Sequence, residues 1–171
     1  VNQNQPVESI VEAPRSKRRT VKPSRGMFID DSLIARKYAG KMLFPKILGM
    51  KDWTILGENQ TQLDLSVSFA TAMNPDIIII DEDLELPGNR KSDRKEGSGA
   101  VTYSSGTQIC RDLVKAKVGS LLCIRSGNSS PEEVQKYIAA GAHCIICKAF
   151  DDTALAAPLT KGFQKLRDEQ M

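Results

Sequence analysis

The sequence predicts an α/β protein built on a doubly wound parallel sheet, and three observations carry that reading. Short β-rich runs alternate with amphipathic stretches through residues 26–171, the order expected of a parallel sheet covered by helices on both faces. Ile77-Ile78-Ile79-Ile80 is apolar at every position, as in a central strand buried on both sides. Two apolar runs end in acid: Met27-Phe28-Ile29 runs into Asp30-Asp31, and Ile77–Ile80 into Asp81. In doubly wound sheets the functional crevice lies at the C-terminal ends of the strands.

The elements follow in order. Met27–Asp30 reads as the first strand. Ser32 is placed to cap a helix from Leu33 to about Leu43, with Leu33, Ile34, Lys37, Tyr38 and Lys41 at helical spacing. Trp53–Gly57 is the second strand. A helix striped by Leu63, Val67 and Ala70 follows and ends before Asn74-Pro75. Asp76–Asp81 is the third strand. Ile109, Leu113 and Val114 mark a helix from about Gly106 to Lys117, and Leu121–Arg125 is the fourth strand. Ser129 or Ser130 caps a helix opening Pro131-Glu132-Glu133, its early acid matched to the helix dipole, and Gly141 closes it. Cys144–Lys148 is the fifth strand, and Asp151 starts a last amphipathic helix to about Arg167.

Bulk properties narrow the function. The 171 residues suit one domain, with 40% hydrophobic and 26% charged content. One Trp and three Tyr argue against a base-stacking surface for single-stranded nucleic acid. The net charge of +3 is uneven: residues 1–25 carry +4 and residues 26–171 carry −1. The basic character therefore belongs to the proline-containing 1–25 segment, read as a disordered linker, and no nucleic-acid binding is expected of the 26–171 body. Arg15-Ser16-Lys17-Arg18-Arg19 reads as plain solvated linker in preference to a nuclear-localisation or polyanion patch. Residues 86–105, with Pro87-Gly88 and Gly97-Ser98-Gly99, read as a long inserted loop. No apolar stretch approaches the roughly 20 residues of a membrane helix. Cys110, Cys123, Cys144 and Cys147 sit in apolar stretches as buried free thiols do, and the Cys144/Cys147 spacing lacks the second half of a zinc site. A cytoplasmic, reducing compartment is expected.

Chemistry gathers at the predicted strand ends: Asp30 and Asp31, Asp81, Ser126-Gly127-Asn128, and Lys148. Crowded carboxylates repel, and a divalent cation relieves them. Mg²⁺ takes oxygen ligands, Asp can carry a phosphoryl group covalently, and metal and Lys offset the charge on its oxygens.

On Phe28-Ile29-Asp30-Asp31-Ser32, Pro75-Asp76-Ile77-Ile78-Ile79-Ile80-Asp81, Ile124-Arg125-Ser126-Gly127, Ala140-Gly141-Ala142 and Cys147-Lys148-Ala149-Phe150, the chain resembles the receiver domain of two-component response regulators and hybrid histidine kinases. The resemblance implies a flavodoxin-like (βα)5 fold with sheet order 2-1-3-4-5. It also implies a phosphoryl group received from a histidine kinase or histidine phosphotransfer protein. Carried over by position, Asp81 becomes the phospho-acceptor, Asp31 a direct Mg²⁺ ligand, and Asp30 a support through water. Asp83 supplies a backbone carbonyl ligand, Ser126 the switch hydroxyl and Lys148 the phosphate-pairing ammonium.

Departures accompany the match. Glu85 stands where the family carries Pro, and Pro87 two residues on leaves Asp83 as a rival acceptor in a shifted register. Ala149 stands where the family has Pro after Lys148, and Ile145 takes the aromatic switch position. A pseudo-receiver that binds partners without switching is the first alternative. An Asp-based phosphatase using Asp81-Glu82-Asp83 is the second.

Overall fold

The computed structural model describes residues 21–86, 102–149 and 151–171. The linker expected at 1–25 and the loop expected at 86–105 lie largely outside them.

Five strands form one parallel sheet: β1 (Arg25–Ile29), β2 (Asp52–Leu56), β3 (Ile77–Asp81), β4 (Leu121–Ser126) and β5 (Cys144–Cys147), in the order β2-β1-β3-β4-β5. Both edges of the central β3 are paired, with Ile80 opposite Ile29 on one side and Ile124 on the other. All five β3 residues are buried.

The helices are α1 (Leu33–Tyr38), α2 (Gln60–Asp64), α3 (Ser66–Met73), α4 (Gly106–Lys115), α5 (Pro131–Ala139) and α6 (Ala156–Glu169). Strand alternation sorts the core into two layers. Phe28, Ile77, Ile79, Leu121 and Cys123 pack with Leu43, Phe44, Leu159 and Phe163 on the α1/α6 face. Met27, Ile29, Ile78, Ile80, Leu122 and Ile124 pack with Leu63, Ala70, Ile109, Leu113 and Tyr137 on the α2–α5 face.

Capping follows the sequence. The side chains of Ser32, Ser105 and Ser130 accept N–H bonds from Ala35, Gln108 and Glu133. Gly141, at φ 98°, carries the chain out of α5.

Three helices differ from expectation, the last beginning at Ala156 after a 3-10 turn over Asp152–Ala154 instead of at Asp151. The first turns into a π-helix over Ala39–Ile47, which contains Pro45. Pro45 has no N–H to give, and the wider register carries the chain past it, with Leu48 N–H bonding Leu43 O at 2.8 Å. The helix after β2 is split at Leu65 into α2 and α3. None of the described helices is long and apolar enough to cross a membrane.

Candidate functional site: an acidic pocket at the strand ends

Asp30 follows β1 and Asp81 ends β3, the neighbouring strand. That adjacency lets Asp30, Asp31 and Asp81 each offer an oxygen within 4.8 Å of the others. Asp30, Asp31, Ser32, Asp81, Asp83, Glu85, Arg125 and Lys148 line a cleft of about 340 Å³.

Local contacts fix the aspartate pair. Arg36 on α1 donates through Nη1 to the carbonyls of Asp30 (3.0 Å), Asp31 (2.6 Å) and Gly57 (3.0 Å), clasping the ends of β1 and β2. Gly57, at φ 114°, lets that approach happen: a Cβ there would lie 2.2 Å from Asp30 O. Asp30 Oδ1 accepts the Ser32 N–H at 2.8 Å. Asp31 Oδ2 accepts the Glu85 N–H at 2.9 Å. A proline at position 85 would have no such proton, so the departure at Glu85 provides a bond that the family's usual residue cannot.

The electrostatics are tense. Asp81 is 3% exposed. Burial pushes its carboxyl up to about 7, with Asp30 and Asp83 adding to the rise and the Lys148 ammonium opposing it. Burial also raises Asp30, against the Ser32 N–H and the Arg125 guanidinium, which lower it. Lys148 Nζ lies 2.7 Å from Asp81 Oδ1 and 3.9 Å from Asp83 Oδ2. That Asp81 oxygen is otherwise without a hydrogen-bond partner. Asp83 carries a largely exposed carboxylate and forms an antiparallel bridge with Ser105.

A magnesium ion suits this donor set. All candidate donors are hard oxygens, gathered within 4.8 Å of one another, as Mg²⁺ prefers. The burial and crowding that raise the Asp81 carboxyl are what such an ion would relieve.

Ser126 behaves differently from the rest. Its hydroxyl accepts the Asn128 N–H at 3.0 Å and lies 3.0 Å from the Tyr137 hydroxyl. Tyr137 in turn hydrogen-bonds Glu133 and holds that carboxyl below its ordinary range. The Ser126 hydroxyl, expected to be the switch, thus meets α5 instead of lining the cleft. The bond between Lys148 and Ala149 is trans.

Three contributors escaped the sequence reading: Arg36, Arg125 and Tyr137. Arg36 falls within the predicted first helix, but nothing in its spacing reveals a carbonyl clasp. Tyr137 does carry a signal, as the sole aromatic in the predicted helix after the fourth strand.

Comparison with known proteins places this arrangement. No protein-family model and no curated protein matches the chain. Among solved structures, it is similar to a response regulator receiver domain from Clostridium thermocellum, with TM-score 0.62, 16% identity, and 86% and 99% of the two chains covered. It is also similar to the Francisella response regulator 1452 receiver domain (0.61, 16%, 84% and 98%) and the BeF3-activated receiver domain of Klebsiella pneumoniae RstA (0.57, 17%, 82% and 98%). The fold is that of a receiver domain. Within this receiver fold, β1 and β3 bring the acidic residues together and β5 leads into Lys148.

Proposed function

We propose that this receiver fold accepts a phosphoryl group on Asp81, with Mg²⁺, from the phosphohistidine of a histidine kinase or phosphotransfer protein. The observation that carries the proposal is the convergence of Asp30, Asp31, Asp81 and Lys148 in one cleft at the strand C-termini.

Asp30, Asp31 and Asp81 would hold the ion, with the Asp83 carbonyl as a further ligand. Bound Mg²⁺ would offset the charge of the carboxylates and the transferring oxygens. Asp81 attacks as the carboxylate. Its oxygen bonds to phosphorus as the phosphorus–nitrogen bond breaks, and the donor, protonated on its other ring nitrogen, leaves as neutral imidazole. Lys148 already touches Asp81 Oδ1 and is positioned to follow the charge onto the phosphoryl oxygens. The Ser126 hydroxyl reaches a phosphoryl oxygen by giving up Tyr137. Because Tyr137 is on α5, that exchange is the route by which the partner surface would feel the reaction.

A reducing, intracellular setting accords with the four free cysteines. A hybrid kinase or multidomain regulator is the expected parent. The competing reading is an interaction module that does not switch. It draws on the Ser126–Tyr137 bond and the trans Lys148–Ala149 bond.

Acetyl phosphate or a phosphorylated histidine phosphotransfer protein tests the proposal. The parent should gain one phosphate in Mg²⁺ and none in EDTA, and Asp81→Asn should gain none. Equal incorporation by Asp81→Asn would reject the acceptor.

A further inference from the structure

The acidic cleft contains a second cation that neither the sequence reading nor the proposed reaction uses. Arg125 is next to last in β4, on the same face as Cys123 and Leu121. Strand alternation turns it away from the α5 side, where Ser126 points, and into the cleft. Its Nη1 lies 3.8 Å from Asp30 Oδ2, with the Arg side chain 18% and the Asp side chain 2% exposed. Lys148 serves the other end of the cleft, at Asp81 and Asp83. The two cations are thus divided between carboxylates.

Asp30 Oδ1 is already taken by the Ser32 N–H. Its other oxygen faces Arg125, and this is the oxygen left to serve a metal or a metal-bound water. A divalent cation and a guanidinium cannot both approach that atom closely without repelling one another across a half-buried site.

We propose that Arg125 is a resident counter-ion of the metal pocket. It neutralises Asp30 in the metal-free protein and withdraws from Asp30 when Mg²⁺ enters. The inference rests on the proposed Mg²⁺ site. It makes Arg125 a positioning residue that sets the pocket's cation affinity by competition, not a ligand or a phosphoryl contact.

The test is calorimetric titration of the full chain with MgCl2, comparing the parent with Arg125→Met, which keeps much of the side-chain stem and loses the charge. Arg125→Met should bind Mg²⁺ roughly tenfold more tightly. Arg125→Lys, which retains the charge, should stay near the parent. A second readout needs no metal: in EDTA, Arg125→Met should lower the unfolding temperature. Asp30→Asn should remove most of that loss in the double variant, since the two charges act on each other.

Equal Mg²⁺ affinity in the parent and Arg125→Met would overturn the inference. If the parent still takes phosphate on Asp81, the receiver reading survives that result. Failure of both proteins to bind Mg²⁺ would overturn the inference and the metal-assisted reaction together. Binding by Arg125→Met alone would support the inference in its strongest form, with Arg125 excluding the metal from the parent. Should Arg125→Met not fold, Arg125→Gln takes its place with the same expected outcomes.

Discussion

Asp81 and Glu82 are neighbours in sequence and both are buried, yet their surroundings are opposites. Asp81 shares the α1/α6 side with Asp30 and Arg125, in a cleft where three aspartates face one another. Glu82 points to the other side. Its Oε2 accepts the Thr107 N–H at 2.8 Å and the Thr107 hydroxyl at 2.5 Å, and its Oε1 meets Lys136 Nζ at 3.2 Å. One carboxylate is fully partnered and ties β3 to α4 and α5. The other is left short of partners and raised toward neutrality. Satisfied groups hold a fold together, whereas poorly satisfied ones are available for chemistry. Strand alternation alone assigns the two roles.

Breaking the Glu82 side should cost the most stability. Glu82→Ala strips both Thr107 donors of their acceptor inside the protein. It should lower the unfolding free energy in urea by about 2–4 kcal/mol. Asp81→Asn in EDTA at pH 8 should do the reverse and raise it, because a crowded charge disappears. Loss of stability in both variants would erase the contrast.

Acid and base sharpen the same comparison. Asp81 has its folded value raised to about 7 from 3.8, so in this window the folded state binds more protons than the unfolded one. The Asp81 contribution to the stability of the metal-free parent is therefore fully present below about pH 4, and roughly 2–4 kcal/mol of it is lost as pH rises to about 7. The Asp30 shift acts in the same direction. Asp81→Asn should flatten this slope, and Mg²⁺ should oppose it by binding the ionised form. Denaturant melts at pH 5, 6, 7 and 8, with and without Mg²⁺, read this out.

Two smaller effects follow at the margins. Gly57→Ala would press a Cβ against the Asp30 carbonyl at a positive φ, costing about 1–3 kcal/mol and weakening Mg²⁺ binding in the same titration. Tyr137→Phe removes the partner of the Ser126 hydroxyl and should cost about 1 kcal/mol. If α5 feels phosphorylation through Tyr137, amide exchange along 131–139 should respond to phosphate in the parent and much less in Tyr137→Phe.

The strands and the acid at their ends were legible from local pattern, and the strand order from the resemblance to receiver domains. The Ile77–Ile80 run reads as a strand buried on both faces, and acid at two strand ends meets once those strands are neighbours. The π-helical turn at Ala39–Ile47 was not legible from periodicity, since one proline shifts the hydrogen-bond register without erasing the apolar spacing. Arg36, Arg125 and Tyr137 stayed hidden for another reason. Each acts on residues outside its own helix or strand, and a lone arginine or tyrosine carries no spacing that names its partner. Ser126 was placed correctly at its strand end, but its hydrogen bond to α5 depends on Tyr137 being directly beneath it.

The central claim is that Asp81 carries the phosphoryl group in a magnesium-dependent reaction. Borohydride reduction after treatment with acetyl phosphate and Mg²⁺ converts an acyl phosphate to homoserine, and peptide mass mapping locates it. Homoserine at position 81, absent when EDTA replaces Mg²⁺, is the predicted result. Homoserine at position 83, or none at any aspartate, would contradict it.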